Sequence, residues 1–138
     1  MKSVFADSFY YLALINPHDG YHELAKNWAI KNAVKIVTTE WILTEVGDAL
    51  IAPRTRFGLA IVLEQVQSDP RTDVIPSSSK LFRSGCQLFN ERPDKYRSLT
   101  DCISFVVMKQ RRIDQALTTD HHFEQAGFVS LLSSTTPQ

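Results

Sequence analysis

KSVFADSFYYLALI, residues 2–15, decides the fold. Lys2 to Ala6 is a short, mostly apolar run that reads as a buried strand, and it closes on Asp7. Ser8 to Ile15 then reads as a helix, stopped by the breaker pair Asn16-Pro17. A strand that turns at once into a helix is the opening of an α/β unit. Near the other end, Gln115 to Thr118 is a second such run, and Asp120 closes it. In an open α/β sheet, ligands bind at the carboxyl ends of strands, so this pattern places Asp7 and Asp120 at one functional edge.

The segments between alternate in the same way. Tyr21 to Asn32 has apolar residues at helical spacing, and Val34 to Val37 makes a strand. Thr38-Thr39-Glu40 caps a helix running to about Leu50 or Ala52, and Arg56 to Gln67 forms the next. Thr72 to Ile75 is a strand, and Ser77-Ser78-Ser79 opens a helix through about Phe89. Leu99 to Gln110 is a strongly apolar helix. Asp120 to Gln125 is a short helix, Gly127 is its C-cap and Phe128 to Leu132 is a last strand. Parallel strands need helical, right-handed crossovers, so the expectation is α/β: one domain over residues 1–132, with a mainly parallel sheet of four to five short strands flanked by helices. Residues 133–138 read as a flexible tail.

Two further acids lie inside apolar periodic stretches, Glu45 in TTEWILTE and Asp101 in SLTD. A carboxylate on the inward side of a helix costs several kcal/mol to bury alone, on the order of the unpaired-charge penalty, unless a cation compensates it. Taken singly, each acid has a structural use. Asp101 and Ser98 can cap the helix from Leu99, Asp120 can cap the helix holding Phe123, and Asp7 can be a strand-end turn residue. Four such groups at the edges of buried segments are most economically explained by convergence on one hard divalent cation, Mg²⁺ or Mn²⁺, which prefers oxygen ligands. Glu45 and Asp101 are expected to reach the edge from near helix N-termini or first turns. Ser8, Ser98 and Thr100 flank the acids as hydroxyls able to orient carboxylates or hold water, and Asp48 shares a helix face with Glu45.

These segments carry a resemblance. VFADSFYYLALI, TTEWILTEVGDAL, RPDKYRSLTDCISFVVM and ALTTDHHFEQAGF are together similar to the PIN domain, the metal-dependent ribonuclease fold of VapC-type toxins and stand-alone relatives. The resemblance implies that Asp7, Glu45, Asp101 and Asp120 hold Mg²⁺ or Mn²⁺ and are the catalytic residues of an endoribonuclease, with Ser8 and Thr100 as hydroxyl neighbours. It also implies an RNA substrate and an antitoxin partner. Many members carry Trp just before the serine of SLTD, where this chain has Arg97.

With 15 basic and 15 acidic residues among 138, there is no global field drawing the chain to nucleic acid or anionic membrane, so any RNA contact is local. Lys95 and Arg97, just before Asp101, are the candidates for phosphate contact. No run approaches the length of a membrane span and no leader pattern opens the chain, which makes the cytoplasm the expected location. Cys86 and Cys102 read as reduced apolar fillers. His121 and His122, as sequence neighbours, are expected to point in different directions, and Phe9, Tyr10 and Tyr11 to be core rather than a stacking platform. The hairpin from Leu50 to Leu63, with Ile51, Phe57, Leu59 and Ile61, offers apolar surface for a homodimer or an antitoxin groove. Two other classes compete: a non-catalytic PIN-like module binding RNA or protein, and a receiver-type phosphotransfer domain, which needs a strand-end Lys that the sequence does not supply.

Overall fold

Short β-branched and apolar runs alternate with amphipathic segments throughout, and the computed structural model, which describes residues 2–133, arranges them as one sheet between helices. In chain order the elements are β1 (Ser3–Ala6), α1 (Ser8–Ile15), α2 (His22–Lys31), β2 (Lys35–Thr39), α3 (Glu40–Ala49), α4 (Phe57–Ser68), β3 (Thr72–Ile75), α5 (Ser79–Glu91), α6 (Leu99–Gln110), β4 (Gln115–Leu117), α7 (His121–Gln125) and β5 (Val129–Ser130). The strand order is β3-β2-β1-β4-β5, and every neighbouring pair is parallel. Sequential strands run outward from β1 to β3 on one side, whereas β4 returns to the other side of β1. The order therefore reverses between β1 and β4, and a crevice opens at their carboxyl ends.

Register fixes what lies there. Ala6 stands opposite Leu117, so the residues that follow, Asp7 and Thr118, leave the sheet side by side. The Asp7 amide continues the ladder, donating to the Leu117 carbonyl at 3.4 Å. Beneath this edge Phe5, Phe105, Phe123 and Phe128 pack as a connected aromatic cluster, with Phe105 edge-on to Phe123 at 5.0 Å between centroids. Tyr10 and Tyr11 are buried in the core, as expected, Tyr10 against Trp28.

Helix starts follow the polar residues before them. The side-chain oxygens of Thr39, Ser78, Ser98 and Asp120 each accept an amide from the first turn of the following helix. α5 lies close on α6 because Gly85 meets Ile103 there, and any Cβ at position 85 would collide with that side chain. This contact sets where the chain leaves α5, and with it the segment from Arg92 to Ser98. Gly127 takes φ +98 after α7, where an L side chain is strained.

Three expectations shift. β2 runs two residues further than Val37, because Thr38 still pairs with Val74 and its hydroxyl donates to the Ala6 carbonyl at 2.9 Å. The last strand shrinks to Val129–Ser130, with Leu131 and Leu132 in a turn. Residues 134–138 of the expected tail lie outside the described residues, and Ser133 is in that turn. Among the described residues no helix is long and apolar enough to cross a membrane.

Candidate metal centre

Asp7 is the N-cap of α1, in extended conformation, and its carboxylate makes no cap bond to the helix. It is therefore free for other partners. The Thr118 hydroxyl donates to Asp7 Oδ2 at 2.8 Å, and Thr118 Oγ1 itself accepts the Asp120 amide at 3.0 Å. One hydroxyl at the end of β4 thus ties two acids that lie on different strands. Burial, with the nearby charges of Asp101 and Asp120 adding to it, pushes the Asp7 carboxyl up to about 6 despite the Thr118 bond.

Glu45 comes from α3 and Asp101 from α6. Glu45 is in the second turn of its helix rather than the first, so the expectation of a helix-start position holds for Asp101 but not for Glu45. Burial raises Glu45 to about 7; repulsion from Asp7, Asp101 and Asp120 contributes, and the Ser8 hydroxyl partly offsets it. Asp101 serves two uses at once. It closes a capping box in which its amide donates to Ser98 Oγ at 3.0 Å and the Ser98 amide donates back to Oδ2 at 3.4 Å. Its carboxyl is nonetheless raised, first by burial and then by Asp120.

Asp120 is the N-cap of α7, accepting the His122 amide at Oδ1, 2.9 Å. Because Asp120 lies outside the helix, both following imidazoles fold back toward it. His122 Nδ1 is 2.8 Å and His121 Nδ1 4.0 Å from the same oxygen, with the rings 4.3 Å apart. The expectation that the two histidines diverge is corrected here, since a regular helix through Asp120 would have separated them. Asp120, His121 and His122 bring their ligand atoms within 4.8 Å of one another.

Asp7, Ser8, Glu45, Asp101, Asp120 and His122 line a cleft of about 760 Å³. The rest of the lining comes from the end of α5 and the connector after it, Phe89, Arg92, Lys95, Tyr96 and Arg97, and from Ser98 beside Asp101. The guanidinium of Arg97 sits over the Phe105 ring, 5.4 Å from its centroid. Thr100 is half-buried and, like exposed Asp48, is not among the lining residues. Elsewhere, His22 Nδ1 is 2.8 Å from the Ala13 carbonyl, which engages it away from exposed His18. Thr118 is an addition that the sequence did not single out, and His122, read there as pointing away, joins the lining; the TTDHH run at the end of a strand is their signal.

The donor set fits a hard divalent cation. Each of Asp7, Glu45 and Asp101 is raised by burial and by another acid of the set, so the empty arrangement carries repulsion that a bound positive charge relieves. The hydroxyls of Thr118 and Ser8 and the backbone amide of Ser98 hold the carboxylates in place without supplying any charge of their own.

No family model matches the sequence. Over 129 residues, 93% of this chain and 97% of the relative, it is 27% identical to the 23S rRNA-specific endonuclease VapC20 of Mycobacterium tuberculosis, with the same figures in strains CDC 1551 / Oshkosh and ATCC 25618 / H37Rv. The crystal structure of M. tuberculosis VapC20, described as a Sarcin-Ricin loop cleaving toxin, superimposes with a TM-score of 0.84 at 22% identity, covering 93% of this chain and 98% of that one. VapBC2 from Rickettsia felis, bound to a DNA fragment from their promoter, gives 0.64 at 15% identity, covering 93% and 96%. FitAcB from Neisseria gonorrhoeae gives 0.65 at 13%, covering 92% and 94%. Over nearly its full length the chain is therefore similar in sequence to VapC20, and it shares the fold of these proteins, with an acidic cleft at the sheet's switch point.

Proposed function

We propose that this chain is a divalent-metal-dependent endoribonuclease, the toxin of a toxin–antitoxin pair, with Asp7, Glu45, Asp101 and Asp120 as its metal ligands and catalytic residues. The observation that carries this reading is the arrival of four carboxylates from β1, α3, α6 and the β4–α7 turn in one cleft. Near full-length similarity to a relative named as a 23S rRNA-specific endonuclease supports RNA as the substrate.

Mg²⁺ or Mn²⁺ held by these acids supplies Lewis-acid polarisation of a phosphoryl oxygen and a more acidic water. The chain's own residues do the rest. The Thr118 hydroxyl and the Ser98 amide fix the Asp7 and Asp101 carboxylates, so little reorganisation accompanies binding. Lys95 and Arg97, in the same cleft, meet the RNA backbone and set its register against the acids. Arg97, held over Phe105, presents its charge from a fixed position. Ser8 lies against Glu45, Thr100 supports the first turn of α6, and Asp48 contributes to the field behind Glu45. On the far side, exposed Ile51, Phe57 and Ile61 around the α3–α4 hairpin are the proposed face for the antitoxin or a second copy. The named complexes of the related folds, VapBC2 and FitAcB, support a protein partner.

The test is cleavage of RNA by purified protein in Mn²⁺ or Mg²⁺, its arrest by EDTA, and its loss in the Asp7→Asn, Asp101→Asn double variant. Activity persisting undiminished in that variant belongs to a contaminant. Retention of RNA without cutting makes the chain a binding module instead. A short gene encoding a DNA-binding antitoxin directly upstream supports the toxin reading, and a solitary gene points to a stand-alone nuclease.

A further inference from the structure

The cleft that holds the acids also carries two aromatic side chains that the core does not use. Phe89, at the end of α5, is 46% exposed, and Tyr96, in the connector, is 93% exposed. Single exposed aromatics are ordinary on protein surfaces. Two that reach one cleft from different elements, beside an acidic cluster, are not explained by packing.

The connector that carries Tyr96 is braced. Arg92 grips Asp94 through two bonds, at 3.1 and 2.9 Å, and the amides of Lys95 and Arg97 donate to the carbonyls of Arg92 and Lys95. The cation at Arg92 is thereby engaged by Asp94. Those of Lys95 and Arg97 form no ion pair among the described residues, and they flank the tyrosine on both sides. A cation, an exposed ring and a second cation follow one another along the connector and line one cleft, which brings together groups able to meet phosphates and the stackable face of a base. The volume of about 760 Å³ lies within the range of sites that enclose a small molecule, roughly 300–1,000 Å³, so it suits a splayed-out nucleotide better than the face of a duplex.

We propose that Tyr96 is a base-stacking residue, and that the cleft takes RNA as an unpaired segment with one base on the Tyr96 ring, supported by Phe89, and the adjoining phosphates on Lys95 and Arg97. This rests on the ribonuclease reading for its placement beside the acids, but it is tested by binding rather than cutting. An acidic or apolar protein segment is the competing occupant. It would use the cations and the ring without regard to a nucleobase.

The experiment compares a fluorescently labelled short oligoadenylate with an abasic phosphodiester chain of the same length. Binding is titrated in Mg²⁺ in a Glu45→Gln background that prevents turnover, with and without Tyr96→Ala, Tyr96→Phe or Lys95→Ala. Tyr96→Ala should weaken oligoadenylate roughly tenfold to hundredfold and leave the abasic chain unchanged, while Tyr96→Phe stays near the parent. Lys95→Ala should weaken both chains alike and lower the salt slope by about one. Equal loss on both chains, no loss at Tyr96, or no measurable binding of oligoadenylate overturns the inference. So does a Tyr96→Ala effect seen only on a protein partner. Because Tyr96 is almost fully exposed, its replacement leaves the melting temperature in place, which is checked alongside. The cleavage assay above judges the parent reading separately. Cutting that does not depend on Tyr96, with unchanged binding, sinks only the stacking inference. Base-dependent binding without any cutting sinks only the ribonuclease reading.

Discussion

Helix α3 carries two glutamates five residues apart that meet opposite fates. Glu40, at its outer start, accepts the Ser77 amide at 2.6 Å and the Ser77 hydroxyl at 3.0 Å, and these bonds hold its carboxyl below the usual range. Glu45, one turn on, faces Asp7, Asp101 and Asp120 from a half-buried position and is pushed up to about 7. The first is a charge whose partners the chain supplies, joining the start of α3 to the loop after β3. The second has the Ser8 hydroxyl alone to set against burial and three neighbouring acids, so its charge is left largely unsatisfied. What separates a structural acid from a ligand here is not residue type, spacing or helix, but whether the fold has already provided donors.

The sharpest way to break this contrast is activity. Glu45→Gln keeps shape and removes a charged ligand, so RNA cleavage should fall by about two orders of magnitude or more, whereas Glu40→Gln should leave the rate within about twofold. Equal effects would mean that Glu45 is not a ligand.

Proton linkage gives the next effect. A carboxyl raised in the folded state binds protons there at pH values where the unfolded chain has released them, so metal-free stability falls as pH rises from about 4 through the folded values near 6 for Asp7 and 7 for Glu45. Asp7 alone, moved from 3.8 to about 6, accounts for about 3 kcal/mol. Denaturant melts in EDTA should show this decline between pH 4 and 7, and saturating Mn²⁺ should reverse it, because the ion favours the ionised acids. A flat profile in EDTA would show that neither burial nor mutual repulsion raises these acids. Near neutral pH, Mn²⁺ at a hundredfold excess over its Kd should add about 2.7 kcal/mol, and Asp101→Asn should remove most of that gain.

Thr118 sharpens the comparison from the other side, because its hydroxyl donates to Asp7. Thr118→Val keeps the β-branched shape and removes the hydroxyl. Mn²⁺ affinity should fall about tenfold to hundredfold, read by titration calorimetry, with cleavage recovering at high metal. If affinity is unchanged, the Thr118 bond does not orient Asp7 for the ion.

Asp7, Asp101 and Asp120 were legible because each follows a strand or opens a helix, where the local pattern fixes position. Glu45 was legible as an acid inside an apolar stretch, but not its turn, which depends on how α3 crosses the edge of the sheet. Thr118 was illegible as a partner of Asp7 because the two are 111 residues apart and meet only through the parallel register of β1 and β4. The histidines were misread for a local reason. Treating Asp120 as the first residue of a helix rotates His121 and His122 apart, whereas Asp120 as an extended N-cap, φ −72 and ψ 116, lets both rings return to one oxygen. The strand after Gly127 ends early because the Leu131 and Leu132 amides bond back to Ala116 and Thr118 from a turn, a long-range satisfaction that alternation alone does not reveal.

The smallest effect belongs to the satisfied glutamate. A carboxyl held below its ordinary value contributes stability above that value and loses it as pH falls, the opposite sign to Glu45. Glu40 is fully exposed, so solvent screens most of what its bonds to Ser77 provide. Ser77→Ala removes the hydroxyl bond and leaves the amide bond, and Glu40→Gln removes the charge but keeps an acceptor. Each should lower the melting temperature slightly at neutral pH, with the loss shrinking as pH falls below the ordinary carboxylate range, while the response to Mn²⁺ stays that of the parent. A weakened Mn²⁺ response in either variant would show that the outer start of α3 and the cleft are coupled through the helix, and that the two glutamates are not independent.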